Sequence, residues 1–202
     1  MSPAQTDAWR RMLPLLLVAL TAIGMQLGGQ GAFELFRYQR EAILAGELWR
    51  LLSAHFIHAG WPHLWLNLAG LALIGLLFPF LSAARFGISL LLASAIAIDL
   101  GLWLLNPEIH WYVGLSGVLH GLFAGGALLH LRHRGWRGGG YLLLLALKLA
   151  WEQTGGPLPG SAAVAGARVI TEAHLYGAAG GAALALFLPL PGEPAEEEAA
   201  SA

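Results

Sequence analysis

The residues whose types and spacing can do chemistry are one serine and a set of histidines. Ser116 stands in Gly114-Leu115-Ser116-Gly117, at the head of an apolar run in which glycine returns at positions 117, 121 and 125. A serine hydroxyl is a poor nucleophile until a base within about 2.6–3.2 Å takes its proton. Most serines in apolar helices only bond back to a carbonyl one turn earlier, so the rest of the chain must supply both that base and donors for an oxyanion. His174 follows Ala173 near the start of a second apolar run, and His63 and Asn67 lie near the start of a third. These types suit acyl transfer, with Ser116 as nucleophile, a histidine as general base, and N–H groups to hold the developing negative charge. Candidate donors are the backbone amides of Leu115 and Ser116, at a helix start where amides lack intrahelical partners, and the side chains of His63 and Asn67. His120, one turn after Ser116 on the same helical face, is a rival base that spacing alone leaves open.

Composition says where such a site would work. The chain has 202 residues, of which 57% are hydrophobic and 11% charged, and its mean hydropathy is +0.64. A water-soluble domain carries about 25% charged residues. So little charge predicts an all-α, polytopic membrane protein in contact with the lipid bilayer. A net charge of -1 gives no basic footprint for nucleic acid, and the lack of cysteine excludes disulfides, thiolate metal sites and a cysteine nucleophile. His55, His58 and His63 lack a carboxylate or thiol at helical spacing to complete a ligand set, so no metal or other cofactor is expected.

Crossing the hydrocarbon layer takes about 20 apolar residues. The apolar runs predict spans over about 12–29, 62–80, 86–105, 116–131, 141–151 and 168–188, the fifth short and interrupted by Lys148. Residues 30–60 are too charged to span and read as an interfacial loop with amphipathic pieces, while 153–167 is a loop of glycine, proline and small residues. The expected organisation is a single six-helix domain over 1–190, followed by an acidic, disordered, cytoplasmic tail at 191–202. Arg10, Arg11, Arg85, Arg132, Arg134 and Arg137 then fall on one side, which the positive-inside rule makes cytoplasmic. Both termini lie inside, and the second, fourth and sixth spans run inward from the outer face. His63 and Asn67, Ser116, and His174 therefore sit at similar depth in the outer half of the bilayer. Polar groups there normally face the bundle interior or a wet cavity. Gly117, Gly121 and Gly125 form a small-residue stripe on the fourth span, and Ala173, Gly177, Gly181 and Ala185 form a matching one on the sixth. Such stripes let backbones approach closely and would bring Ser116 towards His174. Asp99 in the third span has no assigned partner, and Lys148 is one candidate.

At these positions the chain resembles the rhomboid intramembrane serine proteases. Trp49-Arg50 is similar to the family's Trp-Arg pair in the first outer loop, and His58, His63 and Asn67 reproduce its His-x4-His-x3-Asn. Gly114-Leu115-Ser116-Gly117 is similar to its Gly-x-Ser-Gly, and His174 with Gly177 and Gly181 to its sixth-helix motif. The resemblance implies a six-helix fold, a membrane-anchored protein as substrate, Ser116 as nucleophile and His174 as base. It further implies an oxyanion hole of His63, Asn67 and the Ser116 amide, and a dyad with no third carboxylate. Glu172, two residues from His174 on a helix, points elsewhere and reads as interfacial. His120 stands where rhomboids often carry a tyrosine that stacks on the catalytic histidine. With the strings around Ser116 and His174, it makes the chain similar to the rhombosortase subgroup. That subgroup implies a bacterial cytoplasmic membrane, a site opening outward, and surface proteins with Gly-Gly-type C-terminal anchors as substrates. Two other classes stand beside this one: an inactive rhomboid relative that binds membrane helices, and a small-solute transporter using Asp99 and the histidines. The first would lack the serine or histidine, and the second would show repeats absent from this sequence.

Overall fold

Apolar sequence closes into helices in lipid because no solvent is there to satisfy free amides and carbonyls. The computed structural model describes residues 3–191 and is mostly helical. The elements begin with α1 (Pro3–Leu27) and α2 (Gly29–Phe36), then β1 (Tyr38–Gln39), α3 (Arg40–Leu44), α4 (Arg50–Ser53) and α5 (Trp61–Leu77). A 3-10 turn (Pro79–Ser82) leads into α6 (Ala84–Leu104), β2 (Trp111–Tyr112), α7 (Ser116–Arg134), α8 (Trp136–Gly155), α9 (Ser161–Ala165) and α10 (Thr171–Ala185). The tail predicted at 191–202 lies, but for its first residue, outside the described residues.

The helix bounds depart from the sequence expectation in instructive places. The first run does not continue straight. It turns by 115° between Leu13–Leu27 and Gly29–Phe36, at Gly29, whose φ of +57° only glycine adopts readily. The fifth predicted span becomes α8, which reaches from Trp136 to Gly155, well beyond 141–151, because Lys148 and Glu152 satisfy each other one turn apart and do not end the helix. The last helix begins at Thr171, three residues after the predicted start. Helix α9 forms inside the predicted loop at 153–167. Among the described residues only α6 is by itself long and apolar enough to cross a membrane; the bent pair would make a second, and α5 is apolar but shorter.

The reason is composition. Helices α7 and α10 spend their positions on glycine, alanine and histidine because they form the centre. They pack on each other more extensively than any other pair, with α6 and α8 against them. A Cβ on Gly125 would lie 3.0 Å from the Gly181 carbonyl, and one on Gly117 2.9 Å from the Ala173 carbonyl. Reciprocally, a Cβ on Gly177 or Gly181 would collide with the carbonyls of Gly117 and Gly121. The outward faces are aliphatic: Leu73 and Leu76 of α5, Ile96 and Leu100 of α6, and Leu143, Leu144 and Leu147 of α8 are all exposed.

The first loop is pinned to the end of α6 and the approach to α7. Strands β1 and β2 pair antiparallel, Tyr38 opposite Tyr112 and Gln39 opposite Trp111. The Arg40 amide donates to the His110 carbonyl at 2.9 Å. The Arg40 guanidinium donates to the last carbonyls of α6 and lies 4.6 Å over the Trp103 ring. Buried Arg50 donates to the carbonyls of Glu34 (2.8 Å) and Arg37 (2.9 Å) and pairs with Glu47, while Trp49 donates its indole N–H to Leu35. The Trp49-Arg50 pair thus fastens the loop to itself.

Candidate active site

The turn before α7 is held from three sides. The Gly114 amide donates to the Ala54 carbonyl at 2.9 Å. Its carbonyl accepts from the Tyr112 hydroxyl at 2.8 Å. Its φ is +113°, and a Cβ there would lie 2.7 Å from the His63 ring. Both conformation and space therefore require glycine. This turn delivers Ser116 as the first residue of α7, partly accessible, with its hydroxyl off the helix N-terminus.

Ser116 Oγ lies 3.0 Å from His174 Nε2. The opposite ring nitrogen, Nδ1, is 2.9 Å from Glu152 Oε2, and Glu152 Oε1 is 2.7 Å from Lys148 Nζ. A carboxylate can only accept, so Nδ1 carries the proton and Nε2 is left basic towards the serine hydroxyl. His120 does not compete for that hydroxyl. Its Nδ1–H donates to the Ser116 carbonyl at 2.7 Å, and its ring stacks on His174 at 4.1 Å and 12°. The rival base left open by spacing is thus a stacking platform. Glu152, 4% exposed, is the residue the sequence reading missed. The available signal was a lysine and a glutamate four apart in an otherwise apolar helix, where each is costly alone. Glu172 is half-buried on α10 and does not reach the imidazole.

The candidate oxyanion residues are differently disposed. His63 lines the cleft beside Ser116. Asn67 is buried and donates its side-chain amide back to the His63 carbonyl at 2.9 Å, which uses one of its two N–H groups. Contrary to expectation, the Leu115 amide points at His58 Nε2, 3.5 Å away, leaving the Ser116 amide as the backbone donor at the helix start. His58 is a neutral ring between fixed partners. Its Nδ1–H donates to the Phe56 carbonyl at 3.0 Å, and it meets His63 edge-on at 4.9 Å. Burial, reinforced by the neighbouring His63, pushes its pKa down to about 3.

Two openings converge on Ser116. One runs between Ile109–Val113 and Arg168–Ile170. The extended Arg168–Ile170 segment that delays the start of α10 forms one of its walls. The other is an apolar cleft of about 490 Å³ between α5 and α8, walled by Leu66, Leu73, Phe123 and Leu144 and floored by His63, Ser116, His120 and His174. His120, Glu152 and His174 offer ligand atoms within 4.8 Å of one another. Within this cluster Glu152 bridges His174 Nδ1 and Lys148 Nζ, and His120 Nδ1 donates to the Ser116 carbonyl. Asp99 is not Lys148's partner. It sits against fully buried His55, Oδ1 to Nε2 3.5 Å, behind Tyr112.

A family model described as Rhomboid domain matches residues 45–190. The match takes in α4 to α10 and every residue of the constellation just described. The chain belongs to the rhomboid family, whose members are intramembrane serine proteases acting on membrane proteins, and it is an integral membrane protein. A comparison with curated proteins returns no match.

Proposed function

We propose that this chain is an active intramembrane serine endopeptidase with Ser116 as nucleophile and His174 as general base. The observation that carries the reading is the 3.0 Å contact between Ser116 Oγ and His174 Nε2 at the floor of the apolar cleft. In this reading α1, α5, α6, α7, α8 and α10 are the six spans of one domain. Both termini are cytoplasmic and Ser116 opens to the outer side, as the arginine distribution supports. A substrate helix approaches laterally between α5 and α8 and unwinds to present an extended peptide. His174 Nε2 takes the hydroxyl proton as Oγ bonds to the scissile carbonyl carbon. The resulting oxyanion is met by the Ser116 amide, His63 and the remaining N–H of Asn67. The imidazolium passes its proton to the leaving amine as the C–N bond breaks. Water then attacks the acyl-enzyme, giving up a proton to Nε2 that returns to Oγ as the acid leaves. By similarity to rhombosortases, the substrates are surface or secreted proteins cut near Gly-Gly-type C-terminal anchors.

The test uses the reconstituted protein, a fluorophosphonate probe and a membrane-anchored substrate. Labelling and cleavage are expected in the wild type and are lost in Ser116→Ala, and cleavage is lost in His174→Ala. Undiminished cleavage by either variant refutes the dyad, and an unlabelled, inactive wild type makes the chain a non-catalytic binder of membrane helices.

A further inference from the structure

The family reading calls for a dyad, yet the imidazole of His174 is held on both sides. Glu152 Oε2 stands 2.9 Å from Nδ1, buried to 4% exposure. A lone carboxylate at this depth would be expensive. It is sustained by Lys148, whose Nζ reaches the other oxygen at 2.7 Å from one turn earlier on α8. The glutamate is also fixed by its helix, because the neighbouring Gln153 side chain donates to the Thr171 carbonyl of α10 at 3.2 Å. The four side chains form an unbroken line from Lys148 through Glu152 and His174 to Ser116.

We infer that Glu152 is a positioning residue that converts the dyad into a Ser116–His174–Glu152 triad, with Lys148 holding the carboxylate in place. The inference rests on Ser116 and His174 acting as proposed above. Glu152 accepts a hydrogen bond from Nδ1–H and does not take the proton. It selects the tautomer in which Nε2 is basic, fixes the ring plane against the His120 stack, and faces the imidazolium formed during acylation with a full negative charge. Lys148 offsets that charge between turnovers. The arrangement differs from a helix-packing ion pair in one respect: removing it should change the chemical step while substrate binding stays constant.

The experiment measures kcat and KM separately in reconstituted protein, together with the low-field proton spectrum of nitrogen-labelled histidine. Glu152→Gln is expected to lower kcat by about 100-fold or more, leave KM within about twofold, and abolish the low-field Nδ1 proton signal seen in the wild type. Glu152→Asp, which keeps the charge, is expected to recover at least part of kcat. Since Glu152→Gln leaves Lys148 unpaired, the double variant Lys148→Leu/Glu152→Gln removes both charges together, and it is expected to fold, bind substrate with unchanged KM and still lack kcat. A kcat within threefold of wild type in the folded double variant overturns the inference. So does equal loss in the Asp and Gln variants with the Nδ1 proton signal unmoved. Retained cleavage in Ser116→Ala would instead overturn the underlying protease reading, so the two failures are distinguishable.

Discussion

At the scale of single residues, the site is made by what each side chain is prevented from doing. His120 is kept from the serine hydroxyl by its place: its Nδ1–H is on the Ser116 carbonyl and its ring lies stacked on His174, whose Nε2 faces Oγ. His58 is prevented from charging by burial. This has a sign that can be worked out. The unfolded chain protonates its histidines near pH 6.5, while folded His58 protonates only near 3. Unfolding therefore takes up a proton between those values, and stability is full above about 6.5 and falls as the pH drops below it, by up to about 1.4 kcal/mol per pH unit. Thermal midpoints in detergent from pH 7.5 to 5 are expected to decline less steeply for His58→Gln than for wild type, and parallel curves would remove the linkage. Gly114→Ala is expected to cost about 1–2 kcal/mol through its left-handed backbone. It should also lower cleavage more than about tenfold by displacing His63 from the nucleophile; midpoint and cleavage rate check both. Much of the grouping was legible: motif spacing together with the family resemblance singles out Ser116, His174, His63 and His58, which lie together in the structure. Glu152 was not, because its meaning depends on which face of α8 turns inward, and an apolar run of leucines does not say. Nor was the direction of the Asn67 and Leu115 N–H groups, which hydrogen-bond competition within a turn decides.

Among the elements, the interlock of α7 and α10 sets the distance between serine and base. A Cβ on Gly177 would meet the Gly117 carbonyl, so Gly177→Ala must push the two helices apart at the level of the dyad. It is expected to lower both thermal midpoint and cleavage, the latter by about 100-fold for a displacement near 1 Å. Gly140, exposed on α8 with open space where a Cβ would go, supplies the contrast. Gly140→Ala is expected to gain about 0.5–1 kcal/mol with cleavage unchanged. The glycine stripes announced this helix pair in the sequence because close approach leaves a compositional trace. The helix ends announced less. The bend at Gly29, the late start of α10 and the short α9 follow from tertiary fit, and hydropathy alone averages across them.

For the molecule as a whole, the same trade explains why hydropathy suggested six spans while, among the described residues, only α6 by itself, or α6 and the bent pair, is long and apolar enough to cross. Central helices that carry glycine and histidine need not be greasy, since their neighbours meet the lipid. Helices α5 and α8 do not pack extensively on each other across the cleft between them. The chain has no cysteine, so a pair introduced at Leu73 and Leu144 can be bridged by a bifunctional reagent without side reactions. Bridging is expected to stop cleavage of a membrane-anchored substrate while fluorophosphonate labelling of Ser116 persists; cleavage at the uncrosslinked rate would exclude that route. The glycine-locked α7–α10 pair then carries a kinetic meaning. In the proposed mechanism the serine and its base already stand together when substrate arrives, so selection between substrates would fall on how often the α5–α8 side parts and on which helices unwind while it is open. Discrimination becomes a matter of arrival and residence: a poor substrate is one that leaves before it is cut, whatever its affinity at rest.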